Sequence, residues 1–331
     1  MTLDPTLAGT ALGALAARPS AALGHFPTPI DRFERFAAAA RLDQRVFAKR
    51  DDAITFGFGG NKVRKLRYVI PELQAGGVDT VITCGGVQSN HARATAAAAA
   101  AAGMACHIVV NGSEPTTPTA NALLCRHLGA TFEYVTDRTE RKPAMERAAE
   151  RLRGQGRRPA IVPLGASTPV GALGYVAAIG EMLEQGLRPD VIVHAGSSGG
   201  TSAGLLAGVV LHRLPTRVVS ISADDPPAAI IAEVRSIVVG LGPLLGIDGR
   251  ALVDGIRPEV DDGFVGTGYG HPTAASTEAL AFAARTEGVF VDHTYSAKAL
   301  AGLLAYCRDG RIPAGSTVLF WHTGGQVALF A

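Results

Sequence analysis

The chain has 331 residues, of which 47% are hydrophobic and 18% charged, a balance typical of a globular protein with a sizeable core. Its 31 basic and 29 acidic residues leave a formal charge of +2, which gives no electrostatic reason to expect a nucleic acid or an anionic membrane as partner. Because no basic residue precedes Arg18 and no apolar run approaches the roughly 20 residues that cross a bilayer, we expect a cytoplasmic protein.

Short β-branched runs alternate with longer stretches rich in alanine and leucine. This pattern predicts an α/β fold with parallel-rich sheets flanked by helices. The clearest predicted helix, residues 92–102, contains seven consecutive alanines and stops at Gly103. Residues 138–158 carry charges of mixed sign and are predicted to form a helix with a solvated face. The predicted strands are residues 46–48, 80–83, 107–110, 132–135, 160–163, 191–194, 218–222, 289–291 and 318–321.

Lys62 follows Gly59-Gly60-Asn61 and opens an apolar segment, which predicts that it lies on the first turn of a helix. There the helix dipole and a partly desolvated pocket would lower the pKa of its amine, as an attacking amine requires. Arg64 is expected to add a cation that favours the neutral amine, and Lys65 to lie near the same face. An isolated lysine, by contrast, is usually a solvated surface residue.

A second polar segment, Gln88-Ser89-Asn90-His91, lies between a predicted strand and the alanine-rich helix. Ser89 or Asn90 would cap that helix, and the free N–H groups at its start suit a carboxylate. Capping alone is the alternative interpretation.

A third segment runs from a strand ending at His194 through a Gly/Ser/Thr loop into a helix. Such an arrangement cradles a phosphate with backbone amides and hydroxyls. The loop lacks G-x-G-x-x-G and the lysine of a P-loop, which favours a lone phosphate monoester over a dinucleotide or nucleoside triphosphate. A reactive lysine, a carboxylate site and a phosphate cradle together suit an enzyme that uses pyridoxal phosphate (PLP). The candidate phosphate-binding residues are Ser198, Gly199, Gly200, Thr201 and Ser202.

Near the C-terminus, Tyr269 and Tyr295 stand in turn-like contexts and are candidates for acid/base or orienting roles, although half-buried tyrosines are often packing residues. The nine histidines show no metal-ligand spacing, so no catalytic metal is expected. Without a G-x-S-x-G elbow, Ser89 is not expected to belong to a hydrolase triad. The four cysteines show no C-x-x-C spacing and are predicted to be buried, reduced thiols; they are Cys84, Cys106, Cys125 and Cys307.

These segments together closely resemble the PLP-dependent family of 1-aminocyclopropane-1-carboxylate (ACC) deaminases and D-cysteine desulfhydrases, from about residue 27 to the C-terminus. The resemblance implies the tryptophan-synthase-β-like fold, known as fold type II, and a homodimer. It implies a large PLP-binding domain from residues 1–63 and 172–331 and a small domain from residues 64–171. The matching motifs are Lys49-Arg50-Asp51-Asp52, residues 59–66, residues 88–91, Gly171-Ala172-Leu173-Gly174-Tyr175, residues 199–204 and His322-Thr323-Gly324-Gly325.

The resemblance also implies roles for individual residues. Lys62 would be the Schiff-base lysine, with Asn61 beside it in the cofactor site, and Asn90 would bind the phenolic oxygen of the cofactor. Ser89, with Gln88 or His91, would hold the substrate carboxylate. The loop at residues 198–202 would bind the phosphate, Tyr269 and Tyr295 match two active-site tyrosines, and Thr323 or Ser296 would approach the pyridine nitrogen.

ACC deaminases resemble one another in reading Ser-Asn-Gln and Tyr-Glu-Gly-Lys at two of these places. Here the residues are Ser89-Asn90-His91 and Tyr295-Ser296-Ala297-Lys298, which look more like the desulfhydrase pattern. A missing glutamate would change the protonation of the pyridine ring. The expected reaction is therefore β-elimination from D-cysteine, giving pyruvate, sulfide and ammonia.

Three alternatives stay open. A cysteate sulfo-lyase would release sulfite, and His271, Arg64 and Arg67 would favour a sulfonate, although His271 is equally interpretable as a neutral loop histidine. ACC deamination is the second alternative. The third is a protein that binds PLP or an amino acid without catalysis.

Overall fold

The computed structural model describes residues 3–331 of the chain, in which two separate sheets are covered by helices. The strands are β1 Ile30–Arg32, β2 Arg45–Arg50, β3 Thr80–Gly86, β4 Ala105–Asn111, β5 Thr131–Val135, β6 Pro159–Ile161, β7 Val191–Gly196, β8 Arg217–Ser222, β9 Glu259–Asp261 and β10 Thr317–His322. The helices are α1 Pro5–Ala16, α2 Glu34–Ala39, α3 Asn61–Ala75, α4 Asn90–Ala101, α5 Ala120–His127, α6 Arg141–Gly154, α7 Pro169–Glu184, α8 Gly200–Leu211, α9 Pro227–Leu244, α10 Gly249–Gly255, α11 Ala274–Glu287 and α12 Ser296–Arg308.

The larger sheet has six strands in the order β1-β2-β10-β7-β8-β9. Every neighbouring pair is parallel except β1 with β2. Successive side chains of a strand point to opposite faces. Leu319 and Trp321 of β10 therefore pack against α7, α8 and α9, whereas Val318 and Phe320 pack against α11 and α12 on the other face.

The smaller sheet has four parallel strands in the order β5-β4-β3-β6. Its strands come from the middle of the chain, and those of the larger sheet come from both ends. The predicted α/β class with parallel-rich sheets is confirmed. The domain boundaries at residues 63/64 and 171/172 stay a prediction.

In a parallel sheet the carboxyl ends of the strands, and the loops that follow them, lie at the same edge. In the smaller sheet β3 ends at Gly86 and α4 begins at Asn90. In the larger sheet β7 ends at Gly196 and α8 begins at Gly200. The turn into α8 has Gly199 at φ 76°, a left-handed conformation that glycine adopts without steric cost. Both polar segments found in the sequence therefore follow strand ends and precede helix starts.

One strand prediction is wrong. Residues 289–291 form no strand, although Val289 and Val291 are buried. The central strand β10 already pairs with β2 on one side and with β7 on the other. Residues 289–291 therefore have no free edge of β10 to pair with. The carbonyl of Phe290 instead lies 2.9 Å from His322 Nε2. The short edge strands β1 and β9 were not predicted.

Among residues 3–331, one helix is long and apolar enough to cross a membrane by length and composition, contrary to the expectation that no such segment exists. It is α9, whose residues Ile230, Val234, Ile237 and Leu241 are buried against α7 and α8. A helix in the core of a globular protein passes the same test, so this feature is weak evidence for a membrane span.

Candidate active site

Lys62 is the second residue of α3, as predicted, and Gly60 precedes the helix at φ 98°. Its Nζ lies 2.9 Å from Asn61 Oδ1. The pKa of this amine is lowered to about 8, chiefly by burial and also by the charge of Arg93, while Asp292 opposes the shift. A much larger fraction of this amine is therefore neutral near pH 7 than of an ordinary lysine.

Arg64 is not the cation that acts on Lys62, which corrects the sequence-based expectation. Its Nε donates to Asp51 Oδ1 at 2.8 Å and its Nη1 to Glu181 Oε2 at 2.8 Å, so its charge is neutralised inside the protein. Arg67 stacks on the ring of Phe26 at 4.0 Å. Neither arginine lines the cavity around Lys62, so neither supports the expected sulfonate site.

A first cavity joins Lys62 to the loop before α8. Asn61 connects them, because its Nδ2 donates to Thr201 Oγ1 at 3.0 Å. The N-cap residue Gly199 has no side chain to cap α8, and of the N–H groups at its start that of Gly200 donates to Ser167 Oγ at 3.3 Å, so the following ones remain available to an anion. The cavity is lined by Asn61, Lys62, Lys65, Asn90, Ala195, Gly196, Ser197, Ser198, Gly199, Thr201, Ser202, Tyr295, Thr323 and Gly324.

Lys65 places a second amine in this cavity, and the sequence had not led to its assignment to the phosphate. Its Nζ donates to Gly165 O at 3.0 Å and to Ser167 Oγ at 3.3 Å. Burial lowers the pKa of Lys65 strongly, and the Lys62 charge adds to the effect. Among residues 3–331 it forms no ion pair with a carboxylate, and an unpaired buried ammonium is costly unless an anion joins it.

The loop before α8 fits a phosphate monoester closely. A Cβ atom at Gly200 would lie 2.9 Å from Lys65 Nζ and 2.7 Å from Ser167 Oγ. Only glycine therefore leaves this space open for a ligand beside the ammonium group. Together with the hydroxyls of Ser198 and Thr201 and the helix start, these donors match the phosphate of PLP. In the sequence, the i,i+3 spacing of Lys62 and Lys65 on a helix indicates that both amines can face the same site.

The segment predicted to hold a carboxylate lies at the start of α4. Ser89 is the N-cap, and its Oγ accepts from Ala92 N at 3.2 Å. Asn90 faces both Lys62 and the neighbouring cavity, and Asn121 Nδ2 fixes its Oδ1 at 2.9 Å. Gln88 is turned away, because its Oε1 accepts from Asn121 N at 2.9 Å and it lines neither cavity.

His91 borders the second cavity, but its ring is held in the interior. Thr83 Oγ1 donates to Val162 O at 2.8 Å and lies 2.7 Å from His91 Nε2. Since the hydroxyl proton is used on the carbonyl, Nε2 must carry the ring proton. Burial lowers the pKa of His91 far below its ordinary value, so this neutral ring offers a carboxylate no positive charge.

Tyr269 and Tyr295, 26 residues apart in the chain, meet at the cavity with their hydroxyl oxygens 2.6 Å apart. Burial raises the pKa of both phenols, most strongly that of Tyr295, so both stay protonated at neutral pH. Lys298 fixes the loop that carries Tyr269, because its Nζ donates to Val265 O at 2.7 Å and Gly268 O at 3.1 Å. The two tyrosines can therefore act as one hydrogen-bonded unit.

The two candidates for the pyridine nitrogen are placed differently. Thr323 lines the first cavity, whereas Ser296 is 1% exposed and donates to Asp292 Oδ1 at 2.6 Å. The Ser296 hydroxyl is thus committed to the start of α12. His271 is exposed and lines neither cavity, so it adds no cation there.

A second cavity of about 270 Å³ adjoins the first and opens beside both tyrosines. It is lined by four charged side chains that were not predicted for the site; the two arginines fall in residues 138–158, which were interpreted as a solvated helix. The four side chains are Arg138, Arg141, Asp224 and Asp225. They come from both halves of the fold, and no local sequence signal distinguishes them from surface charges. With Lys62, Ser89 and Asn90 on its other walls, this cavity is the candidate substrate site.

Comparisons with known proteins show the family to which the chain belongs. The family described as pyridoxal-phosphate dependent enzyme matches residues 21–324. A 1-aminocyclopropane-1-carboxylate deaminase of Methylobacterium nodulans is 35% identical over 316 residues, covering 92% of this chain and 93% of the relative. A putative enzyme of the same name from Pyrococcus abyssi is 36% identical over 318 residues, with 94% and 93% covered.

Solved structures give the same result. The crystal structure of an ACC deaminase homologue matches with a TM-score of 0.88 at 33% identity, covering 97% of this chain and 96% of the other. A threonine deaminase of Solanum lycopersicum, with a TM-score of 0.70 at 16% identity and 98% and 87% covered, shares the fold. The chain therefore belongs to the pyridoxal-phosphate-dependent enzymes of fold type II and, within them, to the ACC deaminase family of lyases.

Proposed function

We propose that the enzyme catalyses β-elimination from a small β-substituted amino acid, with D-cysteine as the first candidate substrate. The supporting observation is that, among the described residues, no carboxylate lines the cavity that would hold the cofactor. Thr323 offers a neutral hydroxyl there. Asp292 lies nearby, but its oxygens accept from Ser296 Oγ and from backbone N–H groups.

The absence of a lining carboxylate bears on the choice of reaction. A carboxylate beside the pyridine nitrogen would keep it protonated and strengthen its pull on electrons. With a neutral hydroxyl beside the nitrogen instead, the ring attracts electrons less strongly. Elimination expels a stable anion from Cβ and relieves the charge at Cα, whereas cyclopropane opening has no comparable leaving group. The lining therefore favours elimination.

Bound PLP would supply the sink for the electron pair that develops at Cα. Lys62 would hold the cofactor and then, displaced by the substrate amine, accept the Cα proton. Ser89 and Asn90 would hold the substrate carboxylate at the start of α4. The protonated pair of Tyr269 and Tyr295 would orient the substrate and give a proton to the leaving sulfur.

The reaction balances without a further reactant except water. The Cα–H bond breaks and its proton passes to Lys62; the Cβ–S bond breaks and its electron pair leaves with sulfur as sulfide. The released 2-aminoacrylate takes up water and yields pyruvate and ammonia. With cysteate the leaving group would be sulfite.

ACC deamination is the second candidate, because curated relatives 35–36% identical carry that name. The product distinguishes the two reactions: adding water to ACC and removing ammonia leaves 2-oxobutyrate, whereas elimination from cysteine leaves pyruvate.

The test is a substrate panel of D- and L-cysteine, D- and L-cysteate and ACC, assayed for each keto acid, sulfide, sulfite and ammonia. We expect pyruvate and sulfide from D-cysteine, and no turnover by Lys62→Ala. In the wild type, borohydride reduction should attach the cofactor covalently to the peptide containing Lys62. Predominant 2-oxobutyrate from ACC would favour the second candidate. Cofactor binding without any turnover would mean that the protein binds its ligands but is not a lyase.

A further inference from the structure

Two arginines at the start of the charged segment line the substrate cavity, Arg141 partly buried and Arg138 still exposed to solvent. Arg138 precedes α6 and Arg141 is its first residue, and both line the cavity that contains Lys62 and the two tyrosines. The rest of α6 follows the prediction, since Ala144, Ala148 and other apolar residues form its buried face.

The charges of these two arginines are balanced differently. Arg138 is paired across the cavity, with Nη1 2.8 Å from Asp224 Oδ2 and Nη2 3.0 Å from Asp225 Oδ1. Arg141 has a neutral partner: its Nε donates to Asn111 Oδ1 at 2.8 Å, and its Nη2 contacts the same oxygen. Among residues 3–331 it forms no ion pair with a carboxylate.

Asn111 holds Arg141 close to the reacting end of the cavity. It is the last residue of β4 and pairs in register with Gly86 at the end of β3, just before Ser89 and Asn90. Burial raises the pKa of the Tyr269 phenol, and the Arg141 charge is among the influences that oppose the shift. The guanidinium therefore acts on the same space as the tyrosine pair.

A guanidinium has five N–H donors, and the two contacts with Asn111 leave three for a ligand. Such a fork binds the oxygens of carboxylates and sulfonates through charge-assisted hydrogen bonds. Because the Asn111 partner is neutral, the full positive charge of Arg141 remains available. Partial burial limits solvent screening of that charge.

We propose that Arg141, oriented by Asn111, recognises a negatively charged group on the substrate side chain, so that amino acids with an anionic β-substituent bind more tightly than D-cysteine, which the same site also turns over. This inference rests on the proposed elimination and names its substrate class. Among substrates that can eliminate, a β-sulfonate meets this requirement: the Cβ–S bond breaks and its electron pair leaves with sulfur as sulfite, next to Arg141.

The test uses the PLP-loaded enzyme and two non-eliminating ligands of nearly equal shape, aspartate and asparagine, each in D and L form. Binding is followed by the change in visible absorbance of the bound cofactor, which requires no turnover. We expect the preferred enantiomer of aspartate to bind about tenfold or more tightly than the corresponding asparagine. Arg141→Gln should abolish that preference.

Two further variants sharpen the test. Arg147→Gln makes the same change on an exposed position of the same helix and should keep the preference. Asn111→Asp retains Arg141 but gives it an anionic partner, so the preference should fall at least several-fold; this variant keeps the test decisive if Arg141→Gln does not fold.

Equal binding of aspartate and asparagine by the wild type, or an unchanged ratio in Arg141→Gln or Asn111→Asp, would overturn the role of Arg141. Failure of the proposed elimination has a different signature. In that case no cysteine or cysteate isomer yields pyruvate, whatever the binding ratio of aspartate to asparagine.

Discussion

The surroundings of Lys62 on balance disfavour its proton. It lies half-buried at the start of a helix, where burial and the charge of Arg93 lower its pKa more than Asp292 raises it. Asn61 Oδ1, a neutral acceptor, is its hydrogen-bond partner. These surroundings yield a reactive amine without a dedicated base.

The protonation of Lys62 gives a pH prediction. Its pKa is lowered from 10.5 to about 8 in the folded protein, so the neutral amine becomes the major form above about pH 8 instead of above pH 10. Reductive methylation of the cofactor-free protein places ¹³C-methyl labels on the lysines and on the N-terminal amine, and one of the signals that titrate near pH 8 should belong to Lys62. Lys62→Ala should remove that signal. A Lys62 signal that titrates above pH 10 would contradict the argument.

At the scale of elements, α3 is attached to the rest of the fold by a buried charge network. Arg64 bonds to Asp51 and Glu181, and Asp51 Oδ2 also accepts from Tyr175 Oη at 2.6 Å and Trp321 Nε1 at 2.8 Å. These partners belong to α7, β10 and the turn after β2. The network therefore holds in place the helix that presents Lys62.

Removal of the central cation should destabilise the protein strongly. Arg64 is 2% exposed and Asp51 is 0% exposed. Arg64→Met would leave the buried Asp51 without its cation, and we expect the free energy of unfolding to fall by about 3–5 kcal/mol. Urea denaturation of the cofactor-free protein measures this change.

Arg235→Met, at an exposed position of α9, is the matched control and should change the free energy of unfolding by no more than about 0.5 kcal/mol. An Arg64→Met protein as stable as this control would show that the network contributes little.

At the scale of the whole molecule, an ion pair spans the substrate cavity. Arg138 follows the small sheet's strand β5, and Asp224 and Asp225 follow β8 of the large sheet. This contact therefore links the two sides of the cavity. The homodimer and the cytoplasmic location stay predictions, since neither follows from a single chain.

Loss of this contact should weaken substrate binding more than chemistry. Exposed ion pairs are each worth about 0–1 kcal/mol and are screened by salt. Arg138→Gln should therefore raise KM for a neutral substrate about two- to tenfold, with a smaller change in kcat. Added salt should raise the KM of the wild type but not that of the variant. Arg147→Gln serves as control, and an identical salt response in wild type and Arg138→Gln would refute the contact's role.

Local motifs made much of the site predictable. The glycines before Lys62, the Ser89 cap and the loop around Gly199 each depend on a few consecutive residues, because turn conformations and helix starts are determined by neighbours in sequence. For the same reason the sequence predicted most strands of both sheets. It also predicted the PLP cofactor.

The tertiary structure decided which distant residues share a surface. It paired Tyr269 with Tyr295, enclosed Arg64 between two carboxylates, and turned Arg138 and Arg141 from an apparently solvated helix toward the cavity. It also left residues 289–291 outside the sheet. Such outcomes depend on contacts between segments tens to hundreds of residues apart, and composition and periodicity describe only what lies close along the chain.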